Sequence, residues 1–129
     1  MSYVYSNVDD LDGTAKVGSR QCVALVQHYA KLPVTANWKE GDAVLGNAKV
    51  VKGTAIATFV DGKYKSLPTG NHAGFFISQD LKGMWIMDQW SSDVTKPKVS
   101  KRYISRKGKD AKGRFIDASN NADAYSVIE

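Results

Sequence analysis

The chain has 129 residues, 43% of them hydrophobic and 24% charged, with a net charge of +5. That is the size and composition of one folded domain over residues 1–129, able to bury about two-thirds of its unfolded surface without staples. One cysteine excludes an internal disulfide, no apolar run approaches the ~20 residues that span a bilayer, and the polar, acidic start MSYVYSNVDDLDG does not read as a secretory signal.

Residues 1–17 read as a strap onto the body, with Tyr3 and Tyr5 around a valine and an acidic turn at 9–13. GSRQCVALVQHYAK (18–31) predicts a helix. Ser19 suits its N-cap, because the hydroxyl can accept a bond from a first-turn amide that has no helical partner. Arg20, Gln21 and Cys22 then form the first turn, and Cys22, Val26, Tyr29 and Ala30 share one buried side. The helix should end near Lys31, since Pro33 disfavours helical geometry at Leu32. A first-turn thiol faces the positive end of the helix dipole, which favours thiolate and lowers its pKa from about 8.5. The thiolate is the nucleophile. The plainer reading is a cysteine that packs as a small hydrophobe.

Residues 37–41 (NWKEG) look like one helical turn closed by Gly41, with Trp38 packed inside or lining a cleft. From residue 50 the period changes to that of strands. GTAIATFV (53–60) is rich in β-formers, and Asp61-Gly62 signals a two-residue hairpin into Lys63-Tyr64-Lys65. HAGFFIS (72–78) reads as a strand buried on both faces, Lys82-Gly83 as a turn, and MWIMDQW (84–90) as the next strand. KPKVSKRYIS (96–105) reads as another, residues 107–113 as a polar loop, and AYSVI (124–128) as a closing strand. One helix ahead of an antiparallel meander is an α+β arrangement, with the helix across one face of the sheet.

Residues 96–114 hold nine lysines and arginines and a single acid, Asp110. Such a run attracts polyanions, whether nucleic acid, anionic lipid or cell-wall polymer, although a solvated basic face is the commoner outcome. Tyr103 and Phe115 are the only aromatics in or beside it, which argues against a nucleic-acid module.

A thiolate acting on an amide needs a proton-shuttling base, a group that orients the base, and donors for the oxyanion. Of the two histidines, His28 lies on the cysteine helix but points away from Cys22, which leaves it on the surface or in packing. His72 opens a strand, from which it can project into a cleft beside a helix start. Asp88 sits among apolar residues, where a carboxylate is costly without a partner. A five-residue connection at 79–83 would set Trp90 opposite His72 and make Asp88 its diagonal neighbour. A four-residue connection would put the two on opposite faces, and the sequence does not choose. Gln89, Asn120 and Asn121 are alternative orienters. The Cys22 amide and the Gln21 side chain are the candidate oxyanion donors. No spacing suits a zinc site, and no glycine-rich phosphate loop is present, so neither metal nor cofactor is expected.

The order of these residues carries a resemblance. Cysteine at a helix start, histidine opening a strand and a polar residue on the following strand resembles the papain-like CHAP and NlpC-type cell-wall amidases. GSRQCVALVQHY, KGTAIATF, GNHAGFF and MDQW are more particularly similar to the small BPSL-type family, itself similar to type VI secretion amidase effectors. The resemblance implies Cys22 as nucleophile, His72 as base and acid, and Asp88 as orienter, in a papain-like fold without cofactor. Many CHAP members carry Asn, Gln or Glu in the third place. It further implies hydrolysis of an amide in the peptide stem or crosslink of peptidoglycan. Delivery without a signal peptide, action in the target periplasm and a periplasmic immunity protein that plugs the cleft follow from it too. It implies neither nucleic-acid binding nor membrane insertion. The rival expectations are a cationic wall- or partner-binding domain with Cys22 buried, and a cysteine-dependent glutamine deamidase.

Overall fold

A computed structural model describes residues 2–129. It has one α-helix, α1 (Cys22–Ala30), and six strands: β1 (Glu40–Ala43), β2 (Ala55–Thr58), β3 (Ala73–Gln79), β4 (Gly83–Asp88), β5 (Ser100–Ser105) and β6 (Tyr125–Ile128). They form one antiparallel sheet in the order β1-β6-β2-β3-β4-β5. The expected meander holds for β2 to β5, but the last strand slots between β1 and β2 instead of closing an edge.

Alternation along the strands feeds two cores. Ala55, Ala57, Phe75, Ile77 and Met87 face α1, whose Leu25 and Val26 are fully buried. Ile56, Phe76, Met84, Ile86, Ile104 and Val127 face the other side, under Val44, Ala122 and Ala124. Each buried Leu, Ile, Val, Phe or Met side chain among these is worth about 1.5–3 kcal/mol, so both faces of the central strands are anchored. That is why HAGFFIS shows no polar alternation.

The N-terminal strap is real: Tyr5 N–H donates to Gly53 O at 2.9 Å, Ala55 N–H to Tyr3 O at 2.8 Å, and Val8 and Leu11 are buried. The helix start departs from expectation. Arg20 has φ +70°, a left-handed backbone that cannot belong to a helix, so Gln21 is the N-cap and Cys22 the first helical residue. Ser19 Oγ instead accepts from the Gln21 amide at 3.4 Å. The far end lies where Pro33 predicts it, with Lys31 left-handed at φ +60° and its N–H on Gln27 O.

Residues 37–41 do not form a helical turn. A 3-10 turn occupies Thr35–Asn37, and Glu40 onward is strand β1. Lys39 and Glu129 exchange backbone bonds of 2.7 and 2.8 Å, and a Cβ at Gly41 would fall 3.0 Å from Val127 O. Pairing with the distant C-terminal strand overrides the local turn propensity. Trp38 is buried, donating through Nε1 to Pro33 O at 3.0 Å. Asp61-Gly62 does make its two-residue turn, with φ +53° and +76° and paired Val60 and Lys63. The hairpin ends there, and Tyr64 turns inward, packing on Trp38.

Candidate active site

The register of β3 and β4 decides whether His72 and Asp88 meet. Gln79 pairs with Met84, a four-residue connection that alone would separate the two faces. A bulge between Phe76 and Ser78 shifts the pairing by one residue, so Phe76 faces Ile86 and Phe75 faces Met87. Continued two residues past β4, that register sets Trp90 opposite His72 and Asp88 on its diagonal. His72 Nε2 lies 2.7 Å from Asp88 Oδ2. Thr58 fixes the histidine backbone: its Oγ1 accepts from His72 N–H, and its own N–H donates to His72 O, both at 3.0 Å.

Asp88 is fully buried and surrounded by cations. Arg102 Nε meets Oδ2 at 2.8 Å and Lys96 Nζ meets Oδ1 at 2.8 Å. Arg102 is positioned in turn by Asn120 Oδ1 at 2.9 Å and Ser119 O at 3.3 Å. Two members of the basic run are thus internal. Arg106 pairs with Asp123, Lys107 with Asp117 and Arg114 with Asp110, so much of that run is balanced within the protein.

Cys22 is half-buried, and its sulfur stands 3.7 Å from the Tyr64 hydroxyl. Asn71 Nδ2 donates to that hydroxyl oxygen at 3.0 Å, which leaves the tyrosine proton free to point at sulfur. Cys22 also interacts with the His72 side chain closely enough for each to shift the other's proton affinity. With Nε2 held by Asp88, Nδ1 is the ring nitrogen left to serve the sulfur. Gln89, an alternative orienter by sequence, does something else. Fully buried, it accepts from Val17 N–H at 3.0 Å and donates to Val17 O at 3.1 Å and Gln21 O at 2.8 Å. It clamps the segment that enters α1. Lys16 ties the same segment to the 90–93 turn, reaching Trp90 O at 3.0 Å and Asp93 at 2.9 Å, while Arg20 also pairs with Asp93. The Gln21 side chain is exposed and unbonded, His28 is exposed, and buried Asn121 is spent on loop backbone at Lys107, Gly108, Ile116 and Asp123.

Electrostatically the three central groups favour an ion pair. Burial alone pushes the Cys22 thiol up, but the hydrogen bond and charge of His72, with the Tyr64 hydroxyl and the Ala73 amide, bring it below its usual value. Burial likewise disfavours imidazolium, yet the bonds and charges of Asp88 and Cys22 raise His72 to about 9. Burial opposes ionised Asp88 too, and His72, Arg102 and Lys96 overcome it, holding the carboxyl well below the usual range. Together these shifts favour thiolate, imidazolium and carboxylate over the neutral forms. Such a set can attack a carbonyl carbon and hand a proton to a leaving amine.

His72 opens onto a cleft of about 330 Å³, lined also by Asn71, Trp90, Arg102, Ser119 and Asn120. Among the described residues no group of three His, Cys, Asp or Glu side chains could hold a metal ion. Sequence reasoning missed Lys96, Arg102, Tyr64 and Asn71. One signal existed: a carboxylate inside an apolar strand demands a cation, and Asp88 pairs with Ser100, two residues from Arg102 on the neighbouring strand. Nothing in the spacing marked Tyr64 or Asn71.

A family model described as domesticated amidase effector 2 matches residues 2–128. A Salmonella typhi protein named type VI secretion amidase effector 2 is 48% identical over 133 aligned residues, which cover all of both chains. A solved structure of type 6 secretion amidase effector 2 (Tae2) superposes with a TM-score of 0.93 at 48% identity, covering 98% of this chain and 94% of that one.

Proposed function

This chain belongs to the domesticated amidase effector 2 family, and on that premise we propose that it is a cysteine-dependent peptidoglycan amidase delivered by type VI secretion. The observation that carries the reading is the buried His72–Asp88 pair, with His72 opening onto a cleft and interacting with the Cys22 thiol, in a chain 48% identical, end to end, to an amidase effector. The order helix-cysteine, strand-histidine, strand-carboxylate supports placing the domain, residues 1–129, in the papain-like CHAP and NlpC group.

In the proposed mechanism the Cys22 proton resides on His72, and the thiolate attacks the scissile carbonyl of a peptide stem or crosslink. The helix-start amide of Cys22 receives the oxyanion, where the dipole favours negative charge. His72, held by Asp88, protonates the departing amine. It then takes a proton from water, which attacks the thioester and releases the acid and free thiol. Gln21 has the position for a second oxyanion donor, although its side chain must swing in from solvent. No helix of the described residues is long and apolar enough to cross a membrane. Delivery into the target periplasm and a periplasmic immunity protein covering this cleft are part of the same reading.

The rivals draw less support. A purely cationic binding role is weakened by the internal pairing of 96–114, and the expectation of a fully buried Cys22 by its intermediate exposure. The test is digestion of purified sacculi by wild type, Cys22→Ala and His72→Ala, with products separated and weighed. New stem-peptide fragments that vanish in both variants are expected, and their masses identify the bond. Ammonia release from protein substrates with sacculi left intact would instead favour the deamidase.

A further inference from the structure

A lysine ammonium is almost never buried without a partner, because removing a cation from water is expensive. Lys96 is 4% exposed. Its Nζ meets Asp88 Oδ1 at 2.8 Å, donates to Ser100 O at 3.1 Å and stands 4.7 Å from the Trp90 ring centroid. Arg102 holds the other carboxylate oxygen, with its guanidinium 5.3 Å from the same ring. Trp90 in turn meets the His72 ring edge-on at 6.1 Å and is tied down by Nε1 donating to Thr95 Oγ1 at 2.7 Å.

Arg102 and His72 already satisfy Oδ2, whereas Oδ1 is buried and accepts no hydrogen bond of good geometry. A full positive charge stands there instead. One carboxylate faced by two permanent cations leaves a net positive field beside His72. The other titratable groups around the pair are Cys22 from α1, Tyr64 from the loop before β3, and Tyr125 from β6.

Resting on the Cys22–His72–Asp88 reading, we propose that Lys96 is a positioning residue of this centre: its buried ammonium locks the Asp88 carboxylate against His72 and offsets its charge, and so helps to set the pH range of activity. Three consequences follow from charge alone. With Lys96 present the carboxylate cannot turn its second oxygen to His72 without abandoning an ion pair. The positive field favours the Cys22 thiolate. The same field keeps the imidazolium from holding its proton too tightly, so His72 can act both as acid and as base. Lys96 acts through Asp88 and touches neither sulfur nor substrate.

The test compares wild type with Lys96→Met, Lys96→Gln and Lys96→Arg in two pH profiles: the rate of Cys22 alkylation by iodoacetamide, and the digestion of sacculi. Loss of a charge that stands one carboxylate away from His72, at an effective dielectric between that of protein and water, should move both limbs of the activity profile to higher pH by up to about one unit. The alkylation midpoint should move the same way. Lys96→Arg keeps the charge and should keep the wild-type limbs. A merely structural lysine would lower stability or turnover with the limbs unmoved. Unmoved limbs in folded Met or Gln variants, or neutral variants that fail to fold, would overturn the proposal. Digestion that survives Cys22→Ala would instead overturn the reading on which it rests.

Discussion

Replacing Gln89 separates positioning from chemistry at this site. Its side chain makes three bonds to the segment entering α1, at 3.0, 3.1 and 2.8 Å, from a fully buried position. Gln89→Ala removes all three and strands the Val17 N–H, while Val17 O and Gln21 O keep the bonds they accept from Arg20 N–H and Ala24 N–H. At about 1 kcal/mol for each of the two bonds to carbonyls that keep another donor, and about 1–3 kcal/mol for the stranded Val17 N–H, the expected cost is about 3–5 kcal/mol. That is a large share of a typical domain's stability of about 5–15 kcal/mol. With a urea slope of about 1–3 kcal/mol per molar, the unfolding midpoint should fall by roughly 2 M. Because Gln89 fixes the Cys22 backbone, turnover under fully folding conditions should also fall, and a displacement of about 1 Å can cost on the order of a hundredfold. Gln89→Glu should be destabilised at neutral pH, since it turns an acceptor toward the two carbonyls that now receive Nε2–H. The assay is equilibrium urea unfolding by tryptophan fluorescence beside sacculus digestion. A midpoint shift under about 0.5 M with turnover abolished would refute the clamp and return Gln89 to the chemistry.

Asp88→Asn leaves Lys96 and Arg102 facing a neutral amide, and one-sided loss of a buried ion pair typically costs about 3–5 kcal/mol. It also withdraws the largest influence raising His72, so alkylation of Cys22 at neutral pH should slow and digestion should cease; wild-type alkylation would contradict the coupling. Tyr64→Phe removes a hydroxyl that lowers the Cys22 pKa, so its alkylation midpoint should rise while the fold persists. The wild-type profile should be a bell. Its acid limb reports thiolate formation below the ordinary thiol pKa. On its alkaline side activity should fall as pH rises through about 9, where the raised His72 loses the proton that the proposed mechanism assigns to the leaving amine. Activity rising through pH 10 would count against His72 as the acid.

Much of this site was legible in the chain itself. A thiol at a helix start, a histidine at a strand opening and a lone carboxylate in an apolar strand follow from periodicity, breakers and the cost of burying charge. All three can be judged over a few neighbouring residues. Left-handed Arg20 moved the helix start by a few residues without moving Cys22 from its first turn. What the sequence left open was decided by contacts between distant segments. Whether His72 and Asp88 share a face depends on one bulge near Ile77, and a single-residue slip reverses every side chain. Residues 37–41 became strand because the C-terminal strand lies alongside them. Lys96 and Arg102 left the solvated face assigned to them because an internal carboxylate, brought near by sheet pairing, stabilises a cation more than it costs to dry it. Local propensity determined which residues could do chemistry, whereas register and buried charge, which exist only once the sheet is assembled, decided which of them meet.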